Sequence, residues 1–79
     1  MSIKDFKYMV PTSVKPGAKI TVTNNDGVDH TVTSDTAGRF DAVIPSSGGT
    51  HTITAPTKPG TYPFHCTYHS NMHGVLVVS

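Results

Sequence analysis

Turn-forming residues break this chain at intervals too short for helices. Pro16-Gly17, Asp26-Gly27, Gly48-Gly49 and Pro59-Gly60 each mark a turn, since glycine supplies positive φ and proline a preset one. Between them the residues are rich in Val, Ile, Thr, Tyr and Phe, the types that suit a pleated surface. "AKITVTN" places Ala18, Ile20 and Val22 on one face and Lys19, Thr21 and Thr23 on the other. That alternation is the period of a half-buried strand. "THTITA" repeats it around Ile53, and "FKYMV", "HTVTS", "RFDAVI", "GTYPFHC" and "GVLVVS" bring the total to about seven short strands. Many short strands with no helices between them predict an all-β fold, a small Greek-key antiparallel β-sandwich. No repeat, low-complexity segment, charge block or linker divides the chain, so residues 1–79 read as one domain.

A domain of 79 residues buries only a little over ~60% of the surface its unfolded chain exposes, so its core is marginal without a staple. One cysteine cannot close an internal disulfide, which leaves a bound metal or self-association. A formal net charge of +1 carries no nucleic-acid or anionic-membrane footprint. No apolar run reaches the ~18 residues of a membrane helix. The opening "MSIKDFKYMV" lacks the apolar core of a secretory signal, and the chain reads as a mature or recombinant form.

"YPFHCTYHSNMHG", residues 62 to 74, gathers the cysteine, three of the five histidines and one of the three methionines. Alternation along "GTYPFHC" puts Tyr62, Phe64 and Cys66 on one face, and the aromatic face is the core face. Cys66 therefore arrives at its strand end pointing inward. His69 and Met72 follow at intervals of three, in a polar loop that Gly74 ends before "VLVV". A thiolate, an imidazole and a thioether suit copper far better than calcium or magnesium, which want oxygen ligands. A trigonal copper site needs one more imidazole, and His30 in "NNDGVDHTVT" supplies it from the start of a strand whose next same-face residue is Val32. Two imidazoles, one thiolate and a long axial thioether make a blue-copper electron-transfer site.

"NNDGVDHTV", followed some thirty residues later by "PGTYPFHCTYHSNMHGVLVV", resembles the cupredoxin family of small blue copper proteins, the plastocyanin, pseudoazurin and amicyanin group. The likeness spans essentially the whole chain, and the loop "CTYHSNM" is similar to the short amicyanin-type ligand loop. The resemblance implies a cupredoxin-like sandwich holding one copper per chain, with His30, Cys66 and His69 as equatorial ligands and Met72 as the axial one. It further implies a monomer that cycles Cu(I)/Cu(II), docks redox partner proteins transiently near His69, and works in the periplasm or another extracytoplasmic space. Two departures stand out: a reduced segment around residues 44 to 49, and Tyr68 where a proline is common before the second histidine. Unlike proline, Tyr68 has an amide that could point at the Cys66 sulfur, and the Thr31 amide is a second possible donor.

A second function class keeps the copper but delivers or buffers it, or makes the chain a detached domain of a larger redox enzyme. Such trafficking sites favour flexible Met or Cys clusters, which this chain lacks. Hydrolytic Cys-His catalysis wants an orienting Asn or Asp and an oxyanion hole, and an inward thiol is poorly placed to attack anything, so no enzyme activity is expected. His65, beside Cys66, reads as a surface histidine on the outer face of its strand. His73 reads as solvent-facing and His51 as partly buried. Phe6, Tyr8, Phe40, Tyr62 and Phe64 read as core, and Met1 and Met9 as fillers of core gaps.

Overall fold

The computed structural model describes residues 1–36 and 39–79. Among the described residues eight strands run in chain order: β1 (Ser2–Lys4), β2 (Lys7–Met9), β3 (Lys19–Asn24), β4 (His30–Ser34), β5 (Asp41–Ile44), β6 (Thr50–Thr54), β7 (Gly60–Cys66) and β8 (His69–Val78). They form two four-stranded sheets, ordered β2-β1-β3-β6 and β5-β4-β7-β8. The chain crosses between the sheets after β3, β5 and β6, as a Greek key does. Pairings are antiparallel except for β1 on β3, where Ser2 lies opposite Thr23 and Ile3 opposite Asn24, and a parallel bridge from Val14 to Val78.

The alternating residues build the core. Ile3, Ile20, Val22 and Ile53 face inward from the first sheet, and Val32, Ala42, Ile44, Phe64, Cys66, Leu76 and Val78 from the second. Each sheet thus hides one apolar face against the other.

Strand count and ends differ from expectation at two places. "FKYMV" holds β2, but a further strand, β1, precedes it: the chain reverses at Asp5 and Phe6, and β1 pairs back on β2 from Lys4↔Lys7 to Ser2↔Met9. That turn carries Phe6 out of the core, and it is 46% exposed. Met9 is exposed as well, whereas Met1 and Tyr62 pack partly buried on the core. "SNMH" is not a free loop, since β8 begins at His69. His65 pairs with His73 and Cys66 with His69, which leaves Ser70, Asn71 and Met72 bulged out of register. Bulges of this kind re-aim side chains near functional sites. His51 shares the parity of Ile53 and pairs with Val22, yet near the start of β6 it is exposed rather than partly buried.

Candidate metal centre

His30 opens β4, Cys66 closes β7 and His69 opens β8. Antiparallel pairing of these neighbouring strands brings the three ends together. One ligand atom from each of His30, Cys66 and His69 lies within 4.8 Å of the others. His30 and Cys66 are buried and His69 is half-buried. Cys66 Sγ is 3.9 Å from His30 Nδ1, and the imidazole centroids are 5.0 Å apart at 65°. Met72, in the bulge three residues beyond His69, is buried in the core at 2% exposure.

The loop before His30 is held from several sides. Asn24 is fully buried, and its Nδ2 donates to the carbonyls of Val28 at 2.9 Å and Ile44 at 3.0 Å. Its Oδ1 accepts the Asp26 amide at 2.9 Å, so a buried amide side chain is satisfied while it shapes the turn. Asp26 then carries a second layer of contacts. Its carboxylate accepts the amides of Asp5 at 2.7 Å and Phe6 at 2.9 Å, and its Oδ2 lies 2.8 Å from His30 Nε2. The Phe6 amide, then His30 and Asp5, hold the Asp26 carboxyl below its usual 3.8 against a smaller opposing effect of burial. An ionised carboxylate only accepts, so Nε2 of His30 carries the proton and Nδ1 presents its lone pair toward Cys66. None of these loop contacts was legible beforehand, and "NND" before a histidine was the one available signal.

Around the sulfur, the Thr31 amide donates to Cys66 Sγ at 3.3 Å. Thr31, the second donor the sequence offered, makes this bond, whereas among the described residues the Tyr68 amide, the first it offered, does not reach the sulfur. Thr31 is also a hub: its Oγ1 accepts the Thr67 amide at 2.9 Å, and its carbonyl accepts the Tyr8 hydroxyl at 2.5 Å. Burial, with Cys66 nearby, pushes the Tyr8 phenol well above its usual 10.0. His65 lies outside this cluster, with Nδ1 bonded to the Asp35 carboxylate. His73 Nε2 is exposed and bonded to the Ser70 carbonyl at 3.0 Å.

The cluster suits copper. His69 Nε2 is the one buried side-chain nitrogen or oxygen without a hydrogen-bond partner among the described residues. A buried polar atom left unpaired is costly, and this cost is relieved if its lone pair meets a metal beside the thiol and the other imidazole. Sulfur and imidazole donors with no oxygen ligand select copper over calcium or magnesium.

The cupredoxin-like domain family matches residues 4–78. Among solved structures, a reduced Cu(I) form at pH 4 of a proline-to-glycine variant of amicyanin superposes with a TM-score of 0.80 at 29% identity, covering 99% of this chain and 78% of the other. A reduced tryptophan-to-tyrosine variant of amicyanin has the same values. An oxidised proline-to-alanine variant gives 0.79 at 28% over the same shares. No curated protein matches at a significant level. No helix among the described residues is long and apolar enough to cross a membrane. With a His-Cys-His cluster at the strand ends of a two-sheet sandwich and the family match running over nearly its whole length, the chain belongs to the cupredoxin family, as a small blue copper protein of amicyanin-like fold and not an enzyme.

Proposed function

We propose that residues 1–79 form one domain that carries single electrons on one copper, which His30, Cys66, His69 and Met72 would hold. The observation that carries this reading is the convergence of His30, Cys66 and His69 within 4.8 Å, two of them buried. Bound copper supplies a one-electron Cu(I)/Cu(II) couple. The protein's part is to keep the donors still. His30, Cys66 and His69 sit on strand ends, Asp26 fixes the His30 tautomer, and the Thr31 amide draws density from the Cys66 thiolate, which favours the reduced state. Held donors change little between oxidation states, so little rearrangement opposes electron transfer.

Partner proteins dock transiently on the half-buried His69 side, through the small interface that redox encounters use. The monomer works in the periplasm or another extracytoplasmic space. Titrating metal-free protein with Cu(II) tests the centre: one equivalent should saturate an intense visible band and give a reversible electrode response, and Cys66→Ser should lose the band. A blue Cys66→Ser protein, or a colourless wild type that binds only Cu(I) and yields it to a chelator, overturns the carrier reading.

A further inference from the structure

The turn between β1 and β2 holds an aromatic residue where glycine belongs. Asp5 and Phe6 both adopt left-handed backbone, with φ of 54° and 61°. Between the paired Lys4 and Lys7, this is the two-residue hairpin turn that favours Asn-Gly or Asp-Gly. A bulky side chain at positive φ is an outlier, and such outliers cluster at functional sites. Here the strained turn lies on the metal centre. Its two amides are both bonded to the Asp26 carboxylate, the same group that accepts from His30 Nε2.

The Phe6 ring explains what the turn achieves. Its centroid is 5.0 Å from the His30 ring at 81° and 4.7 Å from the His69 ring at 74°. The two imidazoles are themselves 5.0 Å apart at 65°. Three rings thus meet edge to face in a closed triangle, an arrangement whose attraction depends on orientation. Phe6 keeps 46% of its surface exposed, so it touches both imidazoles and solvent together. We infer that Phe6 is a positioning residue of the metal centre: its ring, latched by Asp26, braces the His30 and His69 imidazoles at metal-binding separation and shields them from water. The copper arm of this inference rests on the function proposed above, whereas the brace itself is a property of the metal-free protein.

Phe6→Gly separates bracing from folding, because glycine suits the turn while the ring is lost. The metal-free variant should unfold at a denaturant concentration no lower than wild type. In its metal-free NMR spectrum the nuclear Overhauser contacts between the His30 and His69 ring protons should weaken, and Phe6→Tyr should restore them. From copper-loaded protein, transfer of copper to EDTA should be about tenfold faster in Phe6→Gly, the low end of what loss of outer-shell support costs, and near wild type in Phe6→Tyr. Unchanged contacts between the two imidazole rings, or equal transfer rates, would overturn the inference. If Phe6→Gly failed to fold, Phe6→Leu, which keeps apolar bulk without a ring, is read by the same criteria. A wild type that takes up no copper would sink the metal reading, while the metal-free spectra would still decide the brace.

Discussion

A β-carbon at position 74 would lie 2.5 Å from Phe64 Cζ and 2.9 Å from its Cε1. Phe64 is fully buried, with the rings of Tyr8 at 4.7 Å and Phe40 at 6.1 Å against it, so it has nowhere to retreat. Gly74→Ala should therefore destabilise the metal-free protein by about 1–3 kcal/mol, the cost of overpacking, read as a lower urea midpoint with an unchanged slope. Phe64→Leu in the same chain should make the Gly74→Ala loss smaller than it is alone. Strictly additive losses would show that the contact does not decide the glycine. The sequence showed Gly74 only as the end of a polar stretch, because its constraint comes from a residue across the sheet. Phe6 was illegible for a related reason: its alternation with Tyr8 pointed inward, and only backbone reversal at Asp5 and Phe6 turned it outward.

Strands with clean alternation were legible and interrupted ones were not. β3 and β7 fell where the periodicity placed them, since every second residue is apolar and faces one core. The start of β8 did not, because "HSNMH" has no period-2 pattern; pairing with β7 sustains that strand through its bulge. β2 fell inside the expected "FKYMV" while β1 before it had no expectation, and the Tyr8 hydroxyl of β2 links this hairpin to β4 through the Thr31 carbonyl. That bond gives the hairpin a pH dependence. Unfolded Tyr8 ionises near its ordinary 10.0, while the buried phenol is held well above that and stays neutral in the folded state. Stability from this group is intact below pH 10 and falls as pH rises further, because only the unfolded state gains by losing the proton. Tyr8→Phe should lose about 1 kcal/mol at neutral pH with its hydrogen bond, and show a flatter decline than wild type above about pH 10. Parallel urea midpoints for the two proteins across that range would contradict the assignment.

At the scale of the whole molecule, His30, Cys66 and His69 belong to one sheet, on β4, β7 and β8. The opposite sheet reaches the centre through the β1–β2 hairpin, with the Tyr8 hydroxyl on Thr31 and the Phe6 ring on the imidazoles. Length alone indicated that a chain of 79 residues needs a staple, but not that the candidate ligands would all sit on one sheet while a strained turn from the other leans on them. A ligand that binds only the folded state stabilises it by RT ln(1 + [L]/Kd), or ~4 kcal/mol at a thousandfold excess over Kd. For a domain of this size each kcal/mol moves the midpoint by roughly 4–8 °C. Copper should therefore raise the melting temperature of wild type by roughly 15 °C or more at that excess. Cys66→Ser should lose most of the rise, because serine offers a weaker donor and the remaining imidazoles bind copper with lower affinity. Scanning calorimetry of both proteins, with and without one equivalent of Cu(II), measures this directly. Coincident melting of loaded and metal-free wild type would mean that the two sheets hold together by their apolar faces alone, and that the metal rides on a fold it does not support.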